Sequence, residues 1–598
     1  MSWSNRMAAA GLALPAWSSP PPDAACLPAS GGKRRLRVYL IKPSRYDDDG
    51  WVMCYRWGVI PGNTLVVVAG LLAQAASTAG IELEIVLWDE VVDGALAAAT
   101  IEGIRARASR DRVELLIGLA GVQSGQYPRA RDLALQFRHL GGTVLIGGFH
   151  VSSHPPSVDF LCGQGITVVI GEAESTLGAL LDDYLRGELR LQYRVVEGVR
   201  ARTGGADILV PRIEEAPLPQ LDDRYLGRFF NPTFATIDTS RGCPFTCSYC
   251  SVKNVVGRTM RARDPNRLIE WVREIHDRHG VRNLLVVDDD LFRSPRWQAF
   301  FEGVAGLRRE GYDISLIIQV DIESATHGAA DSGADGRSRR FVDLAAAAGC
   351  FEVFMGFESF DPANLEKARK FHNEERSDRG HGPSSSPEVA ERVKARYRRV
   401  VENWHAAGVG VHCGYMIGLP NDDVGSGARA ARALSEIGVD IASFFACTPL
   451  PGTEDHEAAT AAGSIVESDF NLYDSTHFVA RHPRLTRAQL EREYLDAWRT
   501  FYSWRRLGWS LATLHGVAGL GTSARYGMLA QQLYFTYASR RRFHPMMGGI
   551  GRRRGGVRRE VVTDAEAAAR FVRAWSPELN PAVAGGRNPA SPRTAVPG

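Results

Sequence analysis

The sequence predicts an α/β protein: a doubly wound, Rossmann-like unit over residues 33–190, then an open barrel of six βα units over 233–450. Three observations carry this reading. Short apolar runs alternate with helical spacing from Lys33 to Glu174, and the same alternation resumes from Phe234 to Ala446. The unusual residues fall just after strands, where parallel sheets bind their ligands. Residues 191–232 read as a linker and 451–579 as a mostly helical extension, expected to cover the mouth of the barrel, with one helix opened by a Thr486/Gln489 capping box. Residues 1–32 and 580–598, rich in Ala, Pro, Gly and Ser, read as a disordered leader and tail.

Composition narrows the class. At 598 residues the chain is too long for one ordinary domain. Apolar content of 44% and charged content of 23% are those of a soluble globular protein. A net charge of +3 gives no reason to expect an obligatory nucleic-acid partner. Nine cysteines, three of them clustered, favour a reducing cytoplasm over a disulfide framework. No apolar run approaches the ~18 residues that would span a bilayer.

In the first unit, Leu36 to Ile41, Glu82 to Trp88, Val113 to Leu119, Thr143 to Ile146 and Val168 to Ile170 read as strands. Thr64–Ala79, Ile101–Arg110 and Pro128–Leu140 read as helices between them. The strand ends carry Tyr46-Asp47-Asp48-Asp49-Gly50, Gln123-Ser124, Gly147-Gly148-Phe149-His150 and Gly171-Glu172-Ala173-Glu174. Paired glycines let a backbone approach a bulky ligand closely; the acidic turn is equally readable as a solvated loop. Residues 187–212 form a charged connector with one or two weak strands, and 217–232 an extended stretch.

In the second unit, strands are expected at Phe234–Thr239, Asn283–Asp288, Ile314–Val320, Phe351–Phe357, Val409–Ile417 and Asp440–Ala446. The helix after the first of them should start with Asp264 as N-cap and Pro265 in its first turn, with Leu268, Val272 and Ile275 on its apolar face. Six such units are too few to close an eight-stranded barrel. After the first strand come Cys243, Cys247 and Cys250, spaced C-x3-C-x2-C. Thiolates are soft ligands suited to iron–sulfur clusters or zinc, but structural zinc takes four ligands, and the next cysteine is Cys350. Three thiols on a cubane cluster would leave one iron open to a small molecule. A zinc knuckle with a distant fourth ligand, or three buried thiols, are the alternatives.

This stretch, Thr239-Ser240-Arg241-Gly242 followed by C-x3-C-x-aromatic-C, resembles the signature of the radical S-adenosylmethionine (SAM) enzymes. The resemblance implies that the three cysteines hold a 4Fe–4S cluster whose open iron takes SAM, and that the cluster cleaves SAM to a 5′-deoxyadenosyl radical. Tyr249 matches the position that packs on adenine, and Asp289 and Asp290 a segment near SAM's amino group. Glu358 and Ser359 match a ribose-side motif, and Gly418 an adenine-side one. The first unit resembles the cobalamin-binding domain of one subgroup, implying cofactor contacts from Gln123, Ser124, Gly147, Gly148, His150, Gly171 and Glu172. Its first βα loop has no histidine, the first of the chain being His139, so that loop offers cobalt no imidazole.

The implied activity is that of a cobalamin-dependent radical SAM C-methyltransferase using methylcobalamin on a small molecule whose identity the sequence leaves open. A flavodoxin- or ferredoxin-like protein would supply electrons. A cobalamin radical SAM cyclase, rearrangement or oxidative enzyme is the nearest alternative; a zinc- or RNA-binding scaffold is the non-enzymatic one. No catalytic acid or base is assignable; His412, Cys413 and Tyr415 are candidates for lining a pocket, and His477 and His482 for polar contacts. The arginines between 540 and 559 read as a solvated basic tail, or as a peripheral contact with an anionic membrane. The residues 326–339 and 374–387 read as mobile surface insertions.

Overall fold

The computed structural model describes residues 34–203, 207–326, 334–374, 387–513, 522–540 and 548–567; the expected leader and tail lie outside these. The first sheet has six parallel strands in the order Glu82–Asp89, Arg35–Lys42, Glu114–Leu119, Thr143–Gly147, Thr167–Ile170 and Gln192–Arg194. Side chains alternate across a strand, so Leu36, Val38 and Leu40 join one apolar core and Tyr39 and Ile41 another. Asn63–Ala79 and Leu177–Arg186 cover the first face; Ala98–Asp111, Tyr127–His139 and Pro155–Gly163 cover the second. Helices on both faces make the sheet doubly wound, as expected.

The second sheet follows chain order: Phe234–Ile237, Asn283–Val286, Ser315–Gln319, Cys350–Glu358, Gly410–Ile417 and Ile441–Ala446, every pair parallel. Its first and last strands do not pair with each other, so the barrel is open. The helix Pro265–His279 starts as the sequence predicts, with Asp264 accepting the Asn266 N–H at 2.9 Å and Pro265 in the first turn. Leu268, Val272 and Ile275 bury its inner face.

Several expectations need correction. Trp51–Gly58 is a strand that local pattern did not announce, and it pairs antiparallel with Gly549–Arg558, inside the run expected to be a solvated tail. Arginine stems pack there while their heads stay charged: Arg558 lies over Trp51 and Arg56 over Trp57, and Arg552 and Arg559 pair with Asp47 and Asp469. The insertion at 326–339 becomes helical from Ala334; residues 375–386 of the other are outside the described set. A helical turn, Asp223–Leu226, interrupts the extended linker.

The helical extension was expected over the barrel mouth. Instead, Thr522–Arg540 closes the opposite, N-terminal ends of the strands: Gln531 donates to Glu352 at 3.0 Å, Phe535 meets the His412 ring edge-on, and a Cβ at Gly410 would lie 2.3 Å from Met528. Arg487–Phe501, with its predicted Thr486/Gln489 capping box, packs Trp498 and Phe501 against Phe444 on the outer wall. No helix among the described residues is long and apolar enough to cross a membrane.

The segment 469–477 ties the units together. Asn471 exchanges hydrogen bonds of 3.0 Å with the Tyr46 backbone, Arg45 pairs with Asp474, and His477 lies between Asp474 at 3.0 Å and Asp48 at 3.4 Å. Burial would lower the His477 pKa, but the two carboxylates outweigh it and raise the group to about 9. A raised folded-state pKa contributes stability that is full below about pH 6.5 and is lost as pH rises through the folded value. We therefore expect His477→Gln to unfold at a lower temperature than the parent near pH 6 and to converge with it near pH 10, as followed by circular dichroism.

Candidate active site

The cysteine loop is built on a buried carboxylate. Asp288, at the end of the second barrel strand, accepts the Thr239 N–H, the Thr239 hydroxyl and the Ser240 hydroxyl, each at 2.6 Å. Ser240–Arg241 then pairs with Arg261–Ala262. At Gly242 φ is +102° and a Cβ would lie 2.4 Å from the Thr259 carbonyl oxygen, so only glycine fits the turn into Cys243. Phe245 stacks on His372 at 3.6 Å beneath the guanidinium of Arg293. Ser248 donates its N–H to the Ala368 carbonyl at 3.1 Å.

Burial pushes the Cys250 thiol up to about 12 and raises Cys243 and Cys247 as well; Lys370 opposes the rise at Cys247. A bound metal centre inverts that balance, since a coordinating thiol is deprotonated outright. Among the described residues no three His, Cys, Asp or Glu side chains close on one point as ligands of a single ion do. Thiolates that each take a different iron of a cluster stand further apart than that. Three soft donors on one loop fit a cluster with one open iron.

Beside Cys247, three side chains converge. Tyr249 donates its hydroxyl to Glu358 at 2.9 Å, and Lys370 donates to Glu358 at 3.1 Å and reaches the Tyr249 oxygen at 3.4 Å. Burial disfavours charge on Lys370, but Glu358 and the neighbouring thiols raise its pKa above the ordinary value. Glu358 sits at φ +61°, a conformation costing a non-glycine residue about 1–3 kcal/mol unless its surroundings enforce it. Tyr397 enforces it with its hydroxyl, whose one proton lies between the carbonyls of Phe357 and Ser359 at 2.8 and 3.1 Å. Sequence reasoning missed Lys370; its only signal was a basic residue twelve positions after Glu358.

The other expected residues divide. Asp289 reaches the space between the units, where burial and then the Asp288 charge push its carboxyl up to about 7. Asp290 instead accepts the Asp321 N–H at 3.3 Å and faces Arg293. Ser359 is spent on the Asp361 N–H at 3.0 Å, and Gly418, at φ +90°, shapes a turn closed by Asp422. Cys413 and Tyr415 point into the outer core. His412 lies low in the barrel on Glu352 and Ser443, at 2.9 and 2.8 Å.

A cavity of about 260 Å³ opens between the two units. Val38, Leu40, Leu71 and Leu116 line its apolar side; Gly147, Gly148, Gly171 and Glu172 edge it; Arg241 and Asp289 face it from the barrel. Gly148 has φ +140°, and a Cβ there would lie 2.2 Å from the Val122 nitrogen, whereas a Cβ on Gly171 would meet open space. Gln123, Ser124 and His150 are not on this wall. His150 is fully buried, stacked on Tyr127 at 4.1 Å and bonded to Ser124 and Ser157 at 3.2 and 3.0 Å, so it holds the glycine turn from behind.

Residues 237–426, which begin at the last residue of the first barrel strand and contain the cysteine loop, match the model of the radical SAM superfamily. The chain carries a radical SAM domain. Similar proteins include an uncharacterised methyltransferase of Pyrococcus horikoshii, 25% identical over 65% of this chain and 78% of the relative. Another is the bacteriochlorophyllide d C-8(2)-methyltransferase of Chlorobaculum tepidum, 24% identical over 63% and 76%. A solved structure of the radical SAM methyltransferase TsrM from Kitasatospora setae, with cobalamin and a [4Fe-4S] cluster bound, superposes with a TM-score of 0.55. That likeness covers 85% of this chain and 99% of the other at 14% identity, and is one of fold.

The Lys370–Glu358 pair of this radical SAM domain is open to test. Lys370→Met leaves a buried carboxylate without its cation, a loss of about 3–5 kcal/mol, and should lower the thermal unfolding midpoint. The double variant Lys370→Met/Glu358→Gln should recover most of it, because no unpaired charge remains.

Proposed function

We propose that the protein is a cytoplasmic, cobalamin-dependent radical SAM methyltransferase that acts on an unactivated carbon of a small molecule. The observation that carries this reading is the cavity shared by the glycine turns of the first unit and the loop that bears Cys243. Its apolar side and its glycine rim suit one face of a large flat cofactor, and its barrel side is formed by Ser240 and Arg241, just before Cys243, and by Asp289. When bound, the cluster with SAM supplies a carbon-centred radical and cobalamin supplies the methyl group.

The residues have defined tasks in this reading. Cys243, Cys247 and Cys250 hold the cluster. Lys370 offers a buried cation, and Tyr249 and Glu358 a hydrogen-bonded edge, to the part of SAM that lies beside Cys247. Gly171, with open space where a Cβ would stand, lets the first unit's backbone approach the cobalamin; Gly147 and Gly148 pack their turn against Val169 and Val122 beside it, and His150 supports that turn without touching the ligand. Phe354 and Met416 share with Gly356 and Gly414 the barrel face opposite the outer core, a lining suited to an apolar substrate body. A small low-potential electron carrier, such as a flavodoxin or ferredoxin, supplies the electron that starts each cycle.

Anaerobic reconstitution with iron, sulfide and hydroxocobalamin, followed by incubation with methyl-labelled SAM and a cell extract, tests the assignment. The expected outcome is 5′-deoxyadenosine together with S-adenosylhomocysteine, and label in a small-molecule product. 5′-Deoxyadenosine alone, with no label transferred, would assign a rearranging or oxidative outcome instead.

A further inference from the structure

One residue belongs both to the wall of the inter-unit cavity and to the approach to the cysteine loop. Arg241 lines the cavity and stands two positions before Cys243. Its guanidinium reaches Glu172 at 2.7 Å and Glu174 at 2.6 Å, both in the turn that closes the first unit, and Asp238 of its own strand end at 3.0 Å. Arg261 binds Glu172 from the other side at 2.8 Å, and Arg263 binds Asp238 at 3.0 Å.

Three carboxylates and three guanidiniums thus balance in a site where every side chain is at least 85% buried. Buried charges tolerate no loss of a partner, so the Gly171–Glu174 turn and the Arg241 strand move as one body. Gly242, clamped against the Thr259 carbonyl, passes that placement directly to Cys243. Three buried atoms of the network make no hydrogen bond to the protein: Arg261 Nε, which is off the cavity wall, Glu172 Oε2, which Arg261 still pairs at 2.8 Å, and the second carboxylate oxygen of Glu174, which no cation reaches, in a side chain that is 6% exposed and lines the cavity. A carboxylate oxygen left in this way calls for a donor from the cavity's occupant, and the rim of a corrin ring carries primary amides that are such donors.

Building on the cobalamin reading above, we propose that Glu174 accepts a hydrogen bond from an amide of the bound corrin. Arg241 is then the positioning residue that transmits this contact to the cysteine loop. An occupied cavity fixes the turn, the turn fixes Arg241, and Arg241 fixes the path of the chain into Cys243. Binding couplings are reciprocal, so cobalamin tightens SAM and SAM tightens cobalamin by the same factor.

The test uses the full chain with its cluster reconstituted anaerobically. SAM is titrated against the EPR signal of the reduced cluster, with and without hydroxocobalamin. The wild-type SAM affinity should rise about fivefold or more on adding hydroxocobalamin, the lower end of ordinary allosteric couplings. In Glu174→Ala, in the other unit from the cysteines, that ratio should fall to one while iron content and the affinity for SAM alone are unchanged, a separation that a general loss of structure would not give; in Arg241→Gln the ratio should also fall to one, whatever happens to the affinity for SAM alone. Should Arg241→Gln fail to retain its cluster, Glu174→Ala, in the other unit, carries the test. Variants that keep the wild-type ratio would overturn the proposal, as would a wild-type protein that binds hydroxocobalamin with a ratio of one. A wild-type protein that does not bind hydroxocobalamin would overturn the functional reading instead.

Discussion

Three thiols on a short loop, with no fourth thiol or imidazole in the loop itself, set the chemistry open to this protein. A closed tetrahedral site would make the loop a structural staple; an incomplete set leaves one iron for a substrate-like ligand. Much of the surrounding structure keeps those thiols in register and out of bulk water. Asp288 collects three hydrogen bonds from the two residues that start the loop, and Gly242 turns where no side chain could. On the far side, Ser248 is pinned to the backbone that follows the fourth strand. A loop held at both ends can present sulfurs with little reorganisation when a cluster binds, which is the protein's share of a cofactor-borne reaction.

Around that loop the two α/β units meet through charge rather than through one continuous apolar core. Each unit has cores of its own, while the junction is held by Arg241, Glu172 and Asp238 on one side and by Arg45, Asp474 and His477 on another. Ion pairs at this depth lend orientation more surely than they lend stability. In the proposed reading a cofactor carried by one unit is presented to a radical generated in the other, and relative placement is what such a reaction requires. The strained Glu358 belongs to the same pattern, a costly conformation kept where it holds Lys370 and Tyr249 beside a cysteine.

The sequence made the repeating parts legible. Strands such as Val113–Leu119 and Ile314–Val320 are dense in β-branched and aliphatic residues, and Pro265–His279 carries its cap and apolar stripe in plain order, so local pattern and tertiary outcome agree. The cysteine spacing was legible because few other arrangements use it. What was hidden depended on partners far along the chain. Trp51–Gly58 becomes a strand only because residues about five hundred positions later lie alongside it, and the arginines of that partner concealed a strand inside a charge run. His150 matched a cofactor-turn pattern, yet only packing reveals that its ring faces Tyr127 and not the cavity. Lys370 had no motif around it; burial next to Glu358 gives it meaning. The closure of the barrel's N-terminal end by Thr522–Arg540 rests on Met528 and Gln531 meeting strands more than a hundred residues earlier, a relation with no local signal.

The central claim is that an iron at this three-cysteine site binds SAM directly. Electron–nuclear double resonance on the reduced, reconstituted protein with SAM labelled at its amino nitrogen measures this without reference to any substrate. The account predicts a hyperfine coupling from that nitrogen, which Cys250→Ala abolishes. A fully assembled cluster that shows no coupling to SAM, or a site that takes up zinc and no iron, would contradict it.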